Sequence, residues 1–173
     1  MDKIIETVAG LMALSARTAP KAIGQDYLEI KILTGEEIGA LADEMFLYGK
    51  ESGKPNFDRD SENVRKSQAV LLLSLLNAQN LGANCGACGF TSCAAAQDRR
   101  AEGPEFSGPI CAWRLLDLGI ALGSAVKTAS LFNADNRVMY RIGVAARRIK
   151  LIDGEIVIGV PLSAYGKSIY YDR

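Results

Sequence analysis

Four cysteines fall within 27 residues of a 173-residue chain that contains no others, in the pattern Cys85-x2-Cys88-x4-Cys93-x17-Cys111. That spacing constrains the fold more than any other feature. It demands a segment that turns tightly around three thiols and is then met by a fourth from further along. Lys and Arg total 20, as do Asp and Glu, so no charge excess directs the chain to nucleic acid or an anionic membrane. The longest strongly apolar run, 69–76, is eight residues with Ser74 inside it, too short to cross a bilayer. The chain opens on Asp2 and an amphipathic pattern rather than a basic segment and an apolar core. This predicts no signal peptide and a cytoplasmic location. In that compartment clustered cysteines serve metal or redox chemistry rather than structural disulfides.

The cysteine spacing suits a [4Fe–4S] cluster. A C-x2-C turn supplies two neighbouring thiolates, C-x4-C brings the third round, and Cys111 folds back as the fourth. Gly86 and Gly89 each follow a cysteine and tolerate positive φ, so the backbone can curl and aim N–H groups at the sulfurs. A helix starting near 91–96 would add a favourable dipole, and Phe90 would exclude water. Two alternatives stay open. Structural zinc also takes four cysteines, usually as two C-x2–4-C pairs. Free-thiol chemistry is the other. The chain has no histidine, which excludes a serine–histidine hydrolytic site.

Around this segment the pattern alternates. Apolar spacing predicts a helix over 3–16, ended by Pro20. Residues 27–33 read as a strand. Thr34 and Glu37 form a capping box for a helix carried by Ile38, Leu41, Ala42, Met45 and Tyr48 to Gly49. Residues 52–60 read as loop and 61–67 as a short helix. Residues 70–75 are a buried strand, and a long helix runs over about 112–132. Strand is expected at 138–142, short helix at 144–149, and strand at 155–160, closed by Pro161. The sum is one domain over 1–173, of mixed α/β (α+β) class in two or three layers. A cysteine-rich insertion at 82–112 sits at a strand's end.

Four smaller signals complete the reading. Gly119 and Gly123 on the long helix are expected to admit another helix or strand. Asp117 is expected to face solvent rather than pair with an arginine. Arg147, Arg148 and Lys150 are expected at a solvated helix end. Ala164–Ser168 (AYGKS) lacks the first glycine of a phosphate loop, since Pro161 stands there.

The segment NCGACGFTSCAAA…PICA resembles the CGxCGxxxC…C iron–sulfur motif. That motif occurs in the electron-entry subunit of ion-pumping ferredoxin:NAD oxidoreductases and in corrinoid iron–sulfur proteins. The likeness assigns Cys85, Cys88, Cys93 and Cys111 as ligands. Ala112-Trp113 stand where those proteins carry CxPGG. The whole chain is similar to a family of ferredoxin-domain proteins of anaerobic bacteria and archaea, through ARTAPKA at 16–22, DxGxA at 117–121 and the ending PLS…GK…DR at 161–173. A fainter resemblance is to flavin nitroreductases, carried by the R-x-A-P-x-x loop, the element order and the terminal strand. Gly24-Gln25-Asp26 replaces their Gln-Pro-Trp element. This resemblance implies a nitroreductase-like core and FMN, with Arg17, Thr18, Lys21, Lys167 and Arg173 holding its phosphate. It also implies a homodimer, onto which the tail bearing Tyr170 and Tyr171 would dock. The functional expectation is an oxidoreductase relaying electrons through the cluster to a flavin or bound substrate. The alternatives are an electron carrier or redox sensor serving a partner protein, and a zinc-stabilised interaction protein.

Overall fold

The computed structural model describes residues 1–171. Helix α1 (Asp2–Thr18) leads through a 3-10 turn at Ala22–Gly24 to β1 (Leu28–Leu33). Then come α2 (Glu36–Ser52), α3 (Phe57–Arg65) and β2 (Ala69–Leu75). The cysteine segment carries α4 (Cys93–Asp98) and a small hairpin, β3 (Ala101–Glu102) with β4 (Ser107–Gly108). The chain continues through α5 (Ala112–Leu131), β5 (Asp135–Asn136), α6 (Tyr140–Arg148) and β6 (Ile156–Ser163). The main sheet has the order β1-β2-β6-β5, and every pairing is antiparallel.

Strand β2 is buried along all seven residues because helices cover both sheet faces. Ala69, Leu71, Leu73 and Leu75 pack toward α1 and α5, while Val70 and Leu72 pack toward α2, α3 and α6. A strand's side chains alternate in direction, so one continuous apolar run serves two cores. Ser74 is the exception in that run, and its hydroxyl is satisfied by donating to the Asp153 carbonyl at 2.6 Å.

Glycines let α6 lie close on β6. A Cβ at Gly143 would stand 1.7 Å from the Val157 carbonyl oxygen, and one at Gly159 would stand 2.0 Å from the Ile142 side chain. Strand β6 runs through Pro161 to Ser163 instead of ending before it. The Gly159 N–H donates to Met139. By strand alternation the Pro161 nitrogen faces the same side, where the ladder between the Asn136 pairing and the Met139 bridge is interrupted. The missing donor therefore disturbs nothing.

Several local expectations are corrected. Gly35, at φ +54, occupies the N-cap of α2, so no Thr34–Glu37 box forms, and Glu37 pairs with Lys31 at 2.8 Å instead. That helix runs past Gly49, on which Phe57 packs, and is closed by Gly53 in the left-handed conformation. Helix α3 starts at Phe57, within the expected loop and ahead of the expected 61–67, and its Phe57 and Val64 are buried. Residues 140–142 begin α6 rather than ending a strand. Ile142, Ala145 and Ala146 are a buried helical face, and Met139 makes an isolated bridge to Gly159 of β6. Tyr170, expected to dock on a second copy, is buried in its own chain, with its hydroxyl 2.9 Å from Ser67 Oγ, while Tyr171 is exposed.

Candidate functional site

The cysteine segment leaves the end of β2 and returns at α5. Cys85, Cys88, Cys93 and Cys111 all line one hollow, together with Phe90 and Trp113. Left-handed backbone at Asn84 (φ +47), Gly86 (φ +74) and Gly89 (φ +85) curls the loop round it. Cys93 is the first residue of α4, whose N-cap Ser92 accepts from the Ala95 N–H at 3.1 Å. Cys111 is the N-cap of α5. The first amides of a helix have no partner within it, and the dipole of this long helix favours negative charge at Cys111.

Two asparagines hold Cys93 in place. Asn84 Oδ1 accepts from the Cys93 N–H at 2.8 Å, and Asn80 donates to the Cys93 carbonyl at 2.7 Å. Cys85 is exposed, Cys88 and Cys93 are half-buried, and Cys111 is buried. The Ala87 N–H, and then the Trp113 indole N–H, hold the Cys85 thiol below its ordinary value. Such donors favour the thiolate form of a cysteine. Among the described residues, no three metal-binding side chains are gathered closely enough to hold a single ion. Zinc, with Zn–S bonds of about 2.3 Å, needs its sulfurs to converge on one point. Four cysteine sulfurs are the donor set a cubane takes, and all four cysteines line this hollow.

Arginines close the segment at both ends. Arg100 donates to the Ala78 carbonyl at 2.7 Å and the Pro109 carbonyl at 3.3 Å. Arg114, fully buried, donates to the Gln79 and Ala22 carbonyls and to Gln25 Oε1. Asp117 pairs with Arg114 and accepts from the Ala22 N–H, so it is a buried partner rather than a solvent-facing acid. Arg147 is likewise no solvated helix end: it bonds Glu102 and the Glu105 carbonyl of the β3–β4 hairpin. Arg148 pairs with Glu44 and Glu51. Asn80, Asn84, Arg100, Arg114 and Trp113 are scattered polar residues in the sequence, and no spacing rule picks them out.

The residues assigned to a flavin phosphate are engaged in local bonds. Arg17 donates to Asp26 at 2.6 Å and to the Leu28 carbonyl at 2.7 Å. Thr18 donates back to Leu14, and Lys21 caps α1 by donating to the carbonyls of Ala16, Arg17 and Ala19. Lys167 lies beyond the end of β6, lining a hollow with Ser130 and Asn133. Leu28 is in register with Leu75, and Leu75 with Ile156, at the start of β6. The length of that strand, about 20 Å, separates the Arg17 group from Lys167, so one chain does not bring them together. Arg173 lies outside the described residues. Among the described residues Gly119 and Gly123 receive no close neighbour, since a Cβ at either would meet nothing within 4 Å.

The fold is nitroreductase-like. The FMN-dependent nitroreductase NfnB of Mycobacterium smegmatis, solved with NADPH, superposes with a TM-score of 0.61 at 10% identity, covering 93% of this chain and 78% of that one. A nitroreductase of Desulfitobacterium hafniense, solved with bound FMN, gives 0.61 at 12% identity, covering 94% and 79%. Residues 107–173 match the family described as uncharacterized protein containing a ferredoxin domain (DUF2148). An uncharacterized protein of Archaeoglobus fulgidus is 50% identical over 169 residues, 98% of this chain and 91% of that protein. The chain belongs to this ferredoxin-domain family. Family and fold together support a redox or electron-transfer role. No helix among the described residues is long and apolar enough to cross a membrane.

Proposed function

We propose that Cys85, Cys88, Cys93 and Cys111 hold a [4Fe–4S] cluster and that the protein is an iron–sulfur electron-transfer protein. The observation that carries this reading is the single hollow lined by all four cysteines, one of them the N-cap of a 20-residue helix. When bound, such a cluster supplies one-electron transfer. The chain's own groups place the ligands: Asn80 and Asn84 hold Cys93, α5 presents Cys111, and Arg100 and Arg114 fasten the peptides leading in. Phe90 and Trp113 limit water. Cys85 stands on the exposed side, where a redox partner protein could approach.

The test is anaerobic purification followed by absorbance and by iron, sulfide and zinc analysis. Broad brown absorbance with about four iron and four sulfide per chain supports the proposal. Stoichiometric zinc without sulfide defeats it in favour of an interaction protein.

A flavin-dependent oxidoreductase, with the cluster feeding FMN, is the second reading, and the shared fold favours it. Since Arg17 and Lys167 lie far apart in one chain, a phosphate held by both groups requires two chains. The outer faces of α1 and α5 suit such a pair, because Ile4, Leu11 and Leu14 are exposed on one and Leu115, Leu116 and Ile120 on the other. On this reading the protein is a homodimer joined through these helices. Saturable FMN binding to cluster-replete protein, weakened by Arg17→Ala, supports the enzyme. Its absence leaves an electron carrier or redox sensor.

A further inference from the structure

We propose that Trp113 is a positioning residue that sets the reduction potential of this centre through its hydrogen bond to Cys85. The inference rests on the cluster reading above. The indole Nε1 donates to Cys85 Sγ at 3.3 Å. Trp113 is the second residue of α5 and so follows directly from the helix start that carries Cys111. The bond therefore joins the helix of the last cysteine to the loop of the first. It also covers the most exposed of the four sulfurs, with the indole itself 40% exposed at the rim.

The chemistry has a sign. One electron taken from a reductant adds one negative charge to the cluster and its thiolates, with no bond made or broken. A donor on a ligand sulfur stabilises the more negative state, which raises the potential. The Ala87 N–H also reaches Cys85, but it belongs to the backbone and survives any substitution at 113. The indole N–H is the part of this tuning that a side chain controls. A merely structural role makes a different prediction: an aromatic ring without the N–H would cover the sulfur equally well and leave the potential unchanged.

The experiment compares full-length wild type and Trp113→Phe, both loaded anaerobically with iron and sulfide, by redox titration followed by electron paramagnetic resonance. The expected result is a full iron and sulfide content in the variant with a midpoint shifted to more negative potential. An unchanged midpoint in a loaded variant overturns this inference and leaves the cluster reading standing. Wild type without iron and sulfide overturns both. The chain has one tryptophan, so 15N-labelled tryptophan gives a readout that needs no variant. In reduced wild type the indole nitrogen must show hyperfine coupling to the cluster spin. If Trp113→Phe fails to load, this coupling decides, and its absence overturns the proposal.

Discussion

Arg114 and Asp117 face each other at 3.2 Å, one turn apart on α5, with the guanidinium completely buried. Each also grips the 3-10 turn, Arg114 at the Ala22 carbonyl and Asp117 at its N–H. Arg114 stacks 4.7 Å from the Tyr27 ring and reaches the Gln79 carbonyl at 2.9 Å. One ion pair thus ties the turn after α1 to the peptide that enters the cysteine loop.

Breaking this pair leaves an uncompensated buried charge. Asp117→Ala is expected to lower the unfolding free energy by about 3–5 kcal/mol, read from urea denaturation under anaerobic conditions. The double variant Arg114→Met, Asp117→Leu should lose less than Asp117→Ala alone, because both desolvated charges are gone. Equal losses would show that the hydrogen bonds to Ala22 and Gln79, not the pair, carry the stability.

The ligand set separates from the fold. Cys85→Ala, Cys88→Ala and Cys93→Ala should each remove most bound iron while far-UV circular dichroism stays near wild type, since the two cores lie on the sheet faces. Cys88→Ala retaining full iron and sulfide would sink the cluster assignment. Cys111→Ala is a weaker test of ligation, because it also alters the N-cap of α5.

At Gly143 the backbone of β6 leaves no room for a side chain. Gly143→Ala puts its Cβ 1.7 Å from a carbonyl oxygen, so α6 must shift, at a cost of roughly 3 kcal/mol. Gly39→Ala, on α2 and outside the proposed α1–α5 pairing, meets nothing within 4 Å and should stabilise that helix by about 0.5–1 kcal/mol. Thermal melts of the two variants should therefore move in opposite directions.

Asp26 makes one acid-sensitive contribution. Burial alone would raise its carboxyl, but the Arg17 and Leu28 hydrogen bonds and the charges of Arg17 and Lys21 hold it below its ordinary value. A folded value below the unfolded one stabilises the protein above the unfolded value, about 3.9. That contribution is lost as pH falls through the lower folded value. Asp26→Asn should melt below wild type at neutral pH, and the two curves should converge in strong acid. A gap that persists there would assign the effect to hydrogen-bond geometry rather than charge.

The proposed pairing of two chains through α1 and α5 predicts that Ile120→Glu yields a monomer with unchanged circular dichroism. Light scattering checks it, and wild type that is already monomeric at working concentration removes the proposal.

The cysteine spacing, the glycines after Cys85 and Cys88, and the long apolar periodicities are local patterns. They sufficed to delimit α1, β1, β2, α5 and the cysteine segment, because a run of side chains with one period can bury only one way. Periodicity alone reached only a mixed α/β class; the nitroreductase-like core came from the resemblance carried by the R-x-A-P-x-x loop and the element order. The helices at 57–65 and 140–148 were legible only in their later halves. Their starts are set by buried contacts, among them Phe57 on Gly49 and Gly143 on Val157, that join positions distant in the chain or separated by a turn. The supporting groups of the site depend equally on long-range approach. Arg114 finds Gln25 and Gln79 only when the sheet and α5 close on each other, and Trp113 finds Cys85 across 28 residues. Arg17 and Lys21 are taken up by bonds to residues near them in the chain, and Lys167 lies beyond the other end of the sheet. A residue's type marks it as a possible ligand or cation, but its neighbours in space decide which of its bonds are already taken.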